Sequence, residues 1–405
     1  MTLHDYLKVS LRKFYKKAET VFLKRSEVDA LREMLYSQYP NLRYLTFEAD
    51  RDGVDVYFVA LEDARLVTIA ISTDGGMTWE SKTSSFGVGT PLATLNNGEK
   101  LIIKGNVPTG RYVYGGLTGN SFHVDGGNIY VYGNIMSLLG WDDFANMDII
   151  EYDGAFAYLF QSASILLLAD KPLVLPATTL ANGCYSNMFS ECTSLISAPT
   201  LPATTLATDC YDAMFYGCTS LTTAPTLPAT TLAEGCYKYM FRGCTSLGTA
   251  PDLPATTLAA SCYMNMFYNC IGLTAAPDLP ATVMVKFCYN NMFNRCTSLT
   301  TAPVLPATTL AQGCYAGMFA SCTSLTTAPE LPATTLATSC YESMFRNCFL
   351  LETVTIAAIN ISASFALINW LYNVKSIGDF YCVEGVNYPS GISGIPSGWT
   401  RHNIS

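Results

Sequence analysis

The fold is decided by the stretch Leu206-Ala-Thr-Asp-Cys210-Tyr-Asp-Ala-Met214-Phe-Tyr-Gly-Cys218, which belongs to a unit repeated every 26 residues. The shared text is LPATTLAxxCYxxMFxxCTSLxxAPx, and fixed-period self-similarity of this kind is the signature of a repeat protein. One unit is too short to bury its own apolar side chains, but stacked copies bury them against each other, so the sequence predicts a solenoid. The seven copies begin at Pro176, Pro202, Pro228, Pro254, Pro280, Pro306 and Pro332.

Each unit is predicted to hold one short helix and one short strand. The apolar residues of the quoted stretch follow at steps of four, which places them on one face of a helix: Leu206, Cys210, Met214 and Cys218. The following segment, 221–224, is predicted to be extended, because the prolines after it disfavour helix.

Fourteen of the fifteen cysteines stand in two columns of the repeat, which begin at Cys184 and Cys192; only Cys382 stands outside. Residues eight apart on a helix are about 12 Å apart, whereas a disulfide needs Cα atoms within about 7 Å. No CxxC pair is present, and zinc needs four converging ligands. Bridges between neighbouring copies stay open as an alternative. We favour buried, free thiols that serve packing.

The unit closely resembles the BspA-type leucine-rich repeat, with the AFxxC helix of that family written here as CYxxMFxxC. The resemblance covers roughly residues 155–405, from a degenerate half-copy at 158–163 to the ending Gly394-Ile-Pro-Ser-Gly-Trp399-Thr. It implies a horseshoe or ribbon of leucine-rich repeats with capped ends, and adhesion or recognition in place of catalysis. Secreted members begin with an export signal, and the N-terminal sequence here shows none.

A β-rich region precedes the repeats, because the apolar pattern from Leu42 to about Gly133 has a period of two. Asp- and Gly-rich turns separate the apolar runs, which favours an antiparallel sandwich. The predicted strands are Tyr44–Glu48, Val54–Leu61, Leu66–Ser72, Thr78–Lys82, Lys100–Lys104, Arg111–Tyr114 and Asn128–Tyr132.

The N-terminus is predicted to be a basic helical stalk with one heptad-like apolar stripe. The stripe consists of Leu3, Leu7, Leu11, Phe14, Ala18 and Val21. It packs either on the next domain or in a parallel coiled coil, and the second alternative predicts a homotrimer through this helix. The segment 22–31, FLKRSEVDAL, resembles the TKxEVDAL stretches in coiled-coil linkers of phage tail-fibre proteins.

The complete prediction is an α/β repeat solenoid of leucine-rich-repeat type, preceded by an antiparallel β-sandwich-like module and an N-terminal helical stalk. The predicted domains are a stalk or attachment segment at 1–40, a β-rich module at 41–150, an N-terminal cap half-repeat at 151–175, seven repeats at 176–348 and a C-terminal cap at 349–405.

Composition disfavours several functions. The net charge is −9, which argues against general nucleic-acid binding. Only three histidines are present, and we find no catalytic, cofactor-binding or metal-binding motif, so we predict no enzyme activity, no cofactor and no metal. No apolar run reaches the roughly 18 residues of a membrane-spanning helix.

The ligand-contact candidates lie in columns that vary between copies, on the outward side of the predicted helices. Tyrosine and arginine are favoured at binding hot spots, and the candidates are Tyr216, Tyr239, Arg242, Tyr268, Arg295 and Arg346. The strand side, with its threonine ladder, is the alternative face.

The functional hypothesis is a receptor-binding tail fibre or similar appendage on a virion, which contacts a bacterial surface through the solenoid. The alternative is an extracellular or cell-surface BspA-like adhesin that binds a host protein or glycan.

Overall fold

The computed structural model describes Met34 and residues 43–61, 64–113 and 116–404. The predicted stalk stripe, from Leu3 to Val21, lies outside these residues. Within them the longest defined helix is α1 (Ser137–Gly140), and a 3-10 turn follows at Phe144–Asn146. The prediction of a homotrimer through an N-terminal helix is therefore wrong for the described chain, which offers no helix of that length.

The β module consists of two sheets that pack face to face. The first has the order β10-β1-β7-β3-β4, and the second has the order β5-β2-β9-β8 with β6 also paired to β2. Their shared core includes Phe47 of the first sheet, whose ring centroid lies 4.9 Å from that of Phe122 in the second. The strands are β1 (Leu45–Ala49), β2 (Val54–Ala60), β3 (Thr68–Ser72), β4 (Glu80–Thr83), β5 (Ser85–Phe86), β6 (Ala93–Leu95), β7 (Lys100–Lys104), β8 (Gly110–Val113), β9 (Gly116–Asp125) and β10 (Ile129–Asn134).

The repeat array continues from one edge of this module. Strands β11 (Ile165–Leu166) and β12 (Leu173–Val174) pair in parallel with β10. Buried apolar residues then form one continuous cluster from the module through the repeats.

Each copy of the repeat contains a run of consecutive β-turns where the sequence predicted a helix. In the second copy, alternate N–H groups donate to the carbonyl three residues back, as in Asp212 to Asp209 at 3.1 Å. The intervening N–H groups donate to the next copy, as in Tyr211 to the Cys236 carbonyl at 3.0 Å. Every fourth residue has positive φ: 51° at Asp209, 52° at Ala213 and 69° at Gly217.

The predicted α/β fold class is therefore wrong, although the repeat solenoid is present. Packed helices lie about 8–10 Å apart, whereas the stacked Tyr211 and Tyr237 rings of neighbouring copies lie only 5.8 Å apart. Backbone bonds join the copies at this close spacing, and a helix would use the same N–H groups internally. We call residues 209–218 and their equivalents in the other copies the turn segments.

The opposite side of the array is joined by single parallel β-bridges. They link equivalent residues of neighbouring copies, such as Thr179 with Thr205 and Thr231 with Thr257. A second series includes the bridge between Ser197 and Thr223. The predicted strand is thus reduced to isolated bridges, so both long sides of the array carry backbone bonds between copies.

The conserved columns of the repeat form the core of the array. The buried tyrosines stack in one ladder with centroids 5.6–6.0 Å apart from Phe156 to Tyr341. A phenylalanine ladder runs beside it from Phe160 to Phe345, with steps of 5.4–5.8 Å. These ladders place each copy in direct contact with its two neighbours.

All fifteen cysteines are buried and free, which agrees with the packing interpretation. Thiols of the second column bond across copies: Cys218 donates to the Phe189 carbonyl at 3.0 Å. Burial raises the pKa of Cys210 to about 12, so this thiol stays protonated and unreactive at neutral pH.

Three parallel strands follow the seventh copy: β13 (Thr353–Ile356), β14 (Gly378–Val383) and β15 (Trp399–Ile404). The buried Trp370 indole donates to the Gly394 carbonyl at 3.1 Å. This segment therefore extends the stack beyond the last complete copy.

Candidate recognition surface

The turn segments carry most of the repeat columns that vary between copies. In each copy, three residue pairs lie between or beside the buried columns: one before the first cysteine, one between the tyrosine and the methionine, and one between the phenylalanine and the second cysteine. We call the surface formed by these pairs the turn face. Because neighbouring copies are in register, residues 26 apart are neighbours on this face.

Five of the six predicted contact residues form one cluster on the turn face. The Arg242 guanidinium carbon lies 5.7, 5.5 and 4.6 Å from the ring centroids of Tyr216, Tyr239 and Tyr268. Arg295 belongs to the next copy, and its guanidinium carbon lies 5.8 Å from the ring centroid of Tyr268. We call these five residues the arginine patch, and it spans the second to fifth copies.

Arg346, the sixth predicted residue, lies apart from this patch. It is exposed, and its guanidinium carbon lies 5.3 Å from the ring centroid of Tyr372. The structure thus repeats the arginine–tyrosine pairing near the end of the array, with one ring in place of three.

The arginines of the patch are available for a ligand. Within the part of the chain that the structure describes, neither Arg242 nor Arg295 is in an ion pair. Cation–π contact holds a guanidinium in place while its N–H edge remains free to donate. The patch therefore combines ordered donors with aromatic surface.

An acidic pair borders the patch. Lys238 lies 3.1 Å from a carboxylate oxygen of Asp209 and 3.8 Å from one of Asp212. Burial raises the pKa of Asp212 to about 7, because it outweighs the nearby Lys238 charge, which lowers the pKa. The Oδ1 atom of Asp212 is buried without a hydrogen-bond partner. The charge at this edge of the patch therefore changes near neutral pH.

On the opposite side, threonine hydroxyls of the ladder donate hydrogen bonds to the preceding copy. Thr222 donates from its hydroxyl to the Ile196 carbonyl at 3.2 Å, and Thr300 donates to the Thr274 carbonyl at 3.3 Å. These hydroxyl protons are used between copies, which favours the turn face as the contact surface.

The grouping of arginine with tyrosine was visible in the sequence but was not predicted. Tyr216, Arg242 and Tyr268 stand in the same repeat column of three successive copies, as do Arg346 and Tyr372. Reading down this column would have shown the alternation. The prediction rested on residue type within the variable columns, and not on the order of residues down any one column.

The described residues contain no group of three or more His, Cys, Asp or Glu side chains that could hold a metal ion. In the same residues no helix has both the length and the apolar character needed to cross a membrane.

Comparison with protein families supports the repeat assignment. Residues 184–300 and 237–369 match the family model described as BspA type leucine rich repeat region, in six copies. This part of the chain is therefore similar to BspA-type leucine-rich repeats. Comparison with curated proteins and with solved structures gave no significant match.

Proposed function

We propose that this protein is a non-enzymatic adhesin of the cell surface or extracellular space, and that the turn face of its array binds a surface protein of another cell. The observation that carries this proposal is Arg242, which is held among three tyrosine rings without a carboxylate partner in the described chain. A virion appendage would use the same face, but the adhesin hypothesis does not depend on a helical stalk.

The patch has the properties of a protein-binding hot spot. Tyrosine supplies a large contact area at a low cost in conformational entropy, and interface energy concentrates in tyrosine and arginine. An unpaired arginine fork favours carboxylates, which it binds through two parallel hydrogen bonds. We therefore infer that the partner presents an acidic segment.

The test is binding of fluorescently labelled protein to a panel of bacterial and mammalian cells, measured by flow cytometry. On cells that bind the wild type, the double variant Arg242→Ala, Arg295→Ala should bind at least tenfold more weakly, because hot-spot arginines contribute about 2 kcal/mol or more. Arg242→Lys keeps the charge but removes the planar fork, so we expect an intermediate loss.

Arg51→Ala is the control for the single variant Arg242→Ala, because each removes one arginine and lowers the net charge by one, and Arg51 lies exposed on the β module. Equal binding of the patch variant and the wild type would refute the proposed contact surface. An equal loss in Arg51→Ala would show that general charge, and not the patch, drives adhesion.

A further inference from the structure

A second concave region lies on the turn face beyond the arginine patch. It is a groove of about 480 Å³ that runs over the sixth copy between the fifth and the seventh. Its floor consists of the small residues Ala316, Gly317 and Ala320, whereas the flanking copies carry larger side chains in the same columns. The groove therefore arises from the side-chain sizes of one copy.

Side chains of the fifth copy lie directly against the backbone of the sixth copy. A Cβ atom added to Gly313 would overlap the ring of Phe287, and one added to Gly317 would overlap the amide of Asn291. Phe287 occupies one of the positive-φ positions of the array, with φ 57°, where a bulky side chain is unusual. The small residues of the sixth copy thus match the particular side chains of the fifth.

The wall of the groove is an ordered row of amides. The Asn294 amide donates to Asn291 Oδ1 at 2.8 Å, and the Asn291 amide donates to Asn290 Oδ1 at 2.7 Å. Glu342 and Arg346 of the seventh copy line the other side and offset each other in charge. The groove is therefore polar, nearly neutral in charge, and fitted with both donors and acceptors.

These features fit one class of ligand. The volume falls within the roughly 300–1,000 Å³ of small-ligand sites. Amides offer a donor and an acceptor to neighbouring hydroxyls, and Phe287 adds an apolar surface to the lining. We propose that this groove binds a neutral oligosaccharide, as a site separate from the protein-binding arginine patch.

The test uses a printed array of neutral, N-acetylated and sialylated oligosaccharides, followed by calorimetric titration with the strongest neutral binder. The filling variant Ala316→Met, Ala320→Tyr takes its side chains from Met264 and Tyr268, which stand in the same columns of the fourth copy. We expect at least a tenfold loss of affinity in this variant.

Two further variants keep the proposal falsifiable if the filled groove disturbs folding. Asn290→Ala with Asn294→Ala removes the donors and acceptors and should weaken binding at least fivefold. Arg242→Ala, on the arginine patch, should leave oligosaccharide affinity unchanged while it reduces cell binding.

Three outcomes would overturn the proposal. The wild type binds no neutral oligosaccharide, or the folded filling variant binds with the affinity of the wild type. In the third outcome, Arg242→Ala lowers the affinity for oligosaccharide as much as the filling variant does. The first two leave the proposed protein-binding function intact, because that function is read from cell binding by the patch variants.

Discussion

The β module and the repeat array both bury an apolar core while their backbone N–H and C=O groups form hydrogen bonds. They do so in two different ways. In the module, strand β7 pairs with both β1 and β3, and side chains from both sheets meet around Phe122. In the array, each turn segment bonds and stacks only with its neighbours. The module is therefore expected to unfold as one unit, whereas the array tolerates changes in its number of copies and in its surface residues.

The largest expected contrast comes from paired deletions. Removal of β7 (Lys100–Lys104) should abolish the folded module, because its first sheet loses a central strand. Removal of Pro228–Leu253, one complete repeat, should leave a shorter folded array whose stability falls by one repeat's share. Denaturant unfolding followed by circular dichroism measures both. If the repeat deletion unfolds the protein while the β7 deletion does not, the comparison is wrong.

A charge in the phenylalanine ladder should have the next largest effect. Phe241 is fully buried and stacks on Phe215 and Phe267 at 5.6 and 5.7 Å. Truncation of a buried phenylalanine costs about 3–5 kcal/mol, and Phe241→Asp also buries an unpaired charge. The exposed Thr249→Asp in the same copy is the control and should change the free energy of unfolding by less than about 0.5 kcal/mol. Similar losses in the two variants would contradict the buried ladder.

Asp212, whose Oδ1 atom is buried at the edge of the arginine patch, makes the stability of the protein depend on pH. The pKa of Asp212 is about 7 in the folded state, above its ordinary value of 3.8. Between these values the folded state keeps a proton that the unfolded state has lost, so stability falls as pH rises through this window. Asp212→Asn should therefore stabilise the protein more at pH 8 than at pH 5, by up to about 3 kcal/mol, because about two pH units separate pH 5 from the folded-state pKa of about 7.

Unfolding of this variant at both pH values is the measurement, with the exposed Asp278→Asn as control. A gain of the same size at pH 5 and pH 8 would show that the Asp212 carboxyl is not held in its protonated form by burial.

The sequence predicts the two regions to different extents. In the module, alternation placed β7 at its observed bounds and β2 within one residue. It missed the longest strand, β9 (Gly116–Asp125), because that segment contains two glycines and several polar residues in place of regular alternation. Pairing with β2 and β8 stabilises β9, and such tertiary contacts are invisible in a local pattern.

In the array, the period and the buried columns were predictable, but the backbone was not. Apolar residues at steps of four fit a helix and a run of turns equally well. The signal that separates the two is Gly, Asn, Ser or Asp at most positions of positive φ, such as Gly183, Asn187 and Ser343. These residues tolerate the left-handed region and are poorer helix formers than alanine.

For the candidate site, variable columns identified the six contact residues, and their role in binding stays a prediction. The groove was not predicted, because it depends on the relative size of side chains in three successive copies. Register between copies, which only the stacked structure makes explicit, determines both features.

Each repeat is a run of turns with left-handed residues at every fourth position, and substitutions of Ser343 distinguish this backbone from a helix. Its φ is 53°, and the same column holds Gly317 and Ala213 in other copies. At positive φ, glycine is favoured over alanine by about 1 kcal/mol, whereas inside a helix alanine is favoured over glycine by a similar amount. The measurement is the free energy of unfolding of Ser343→Gly and Ser343→Ala beside the wild type. We predict that the glycine variant is the most stable of the three and the alanine variant the least, and the reverse order would contradict the turn-based architecture.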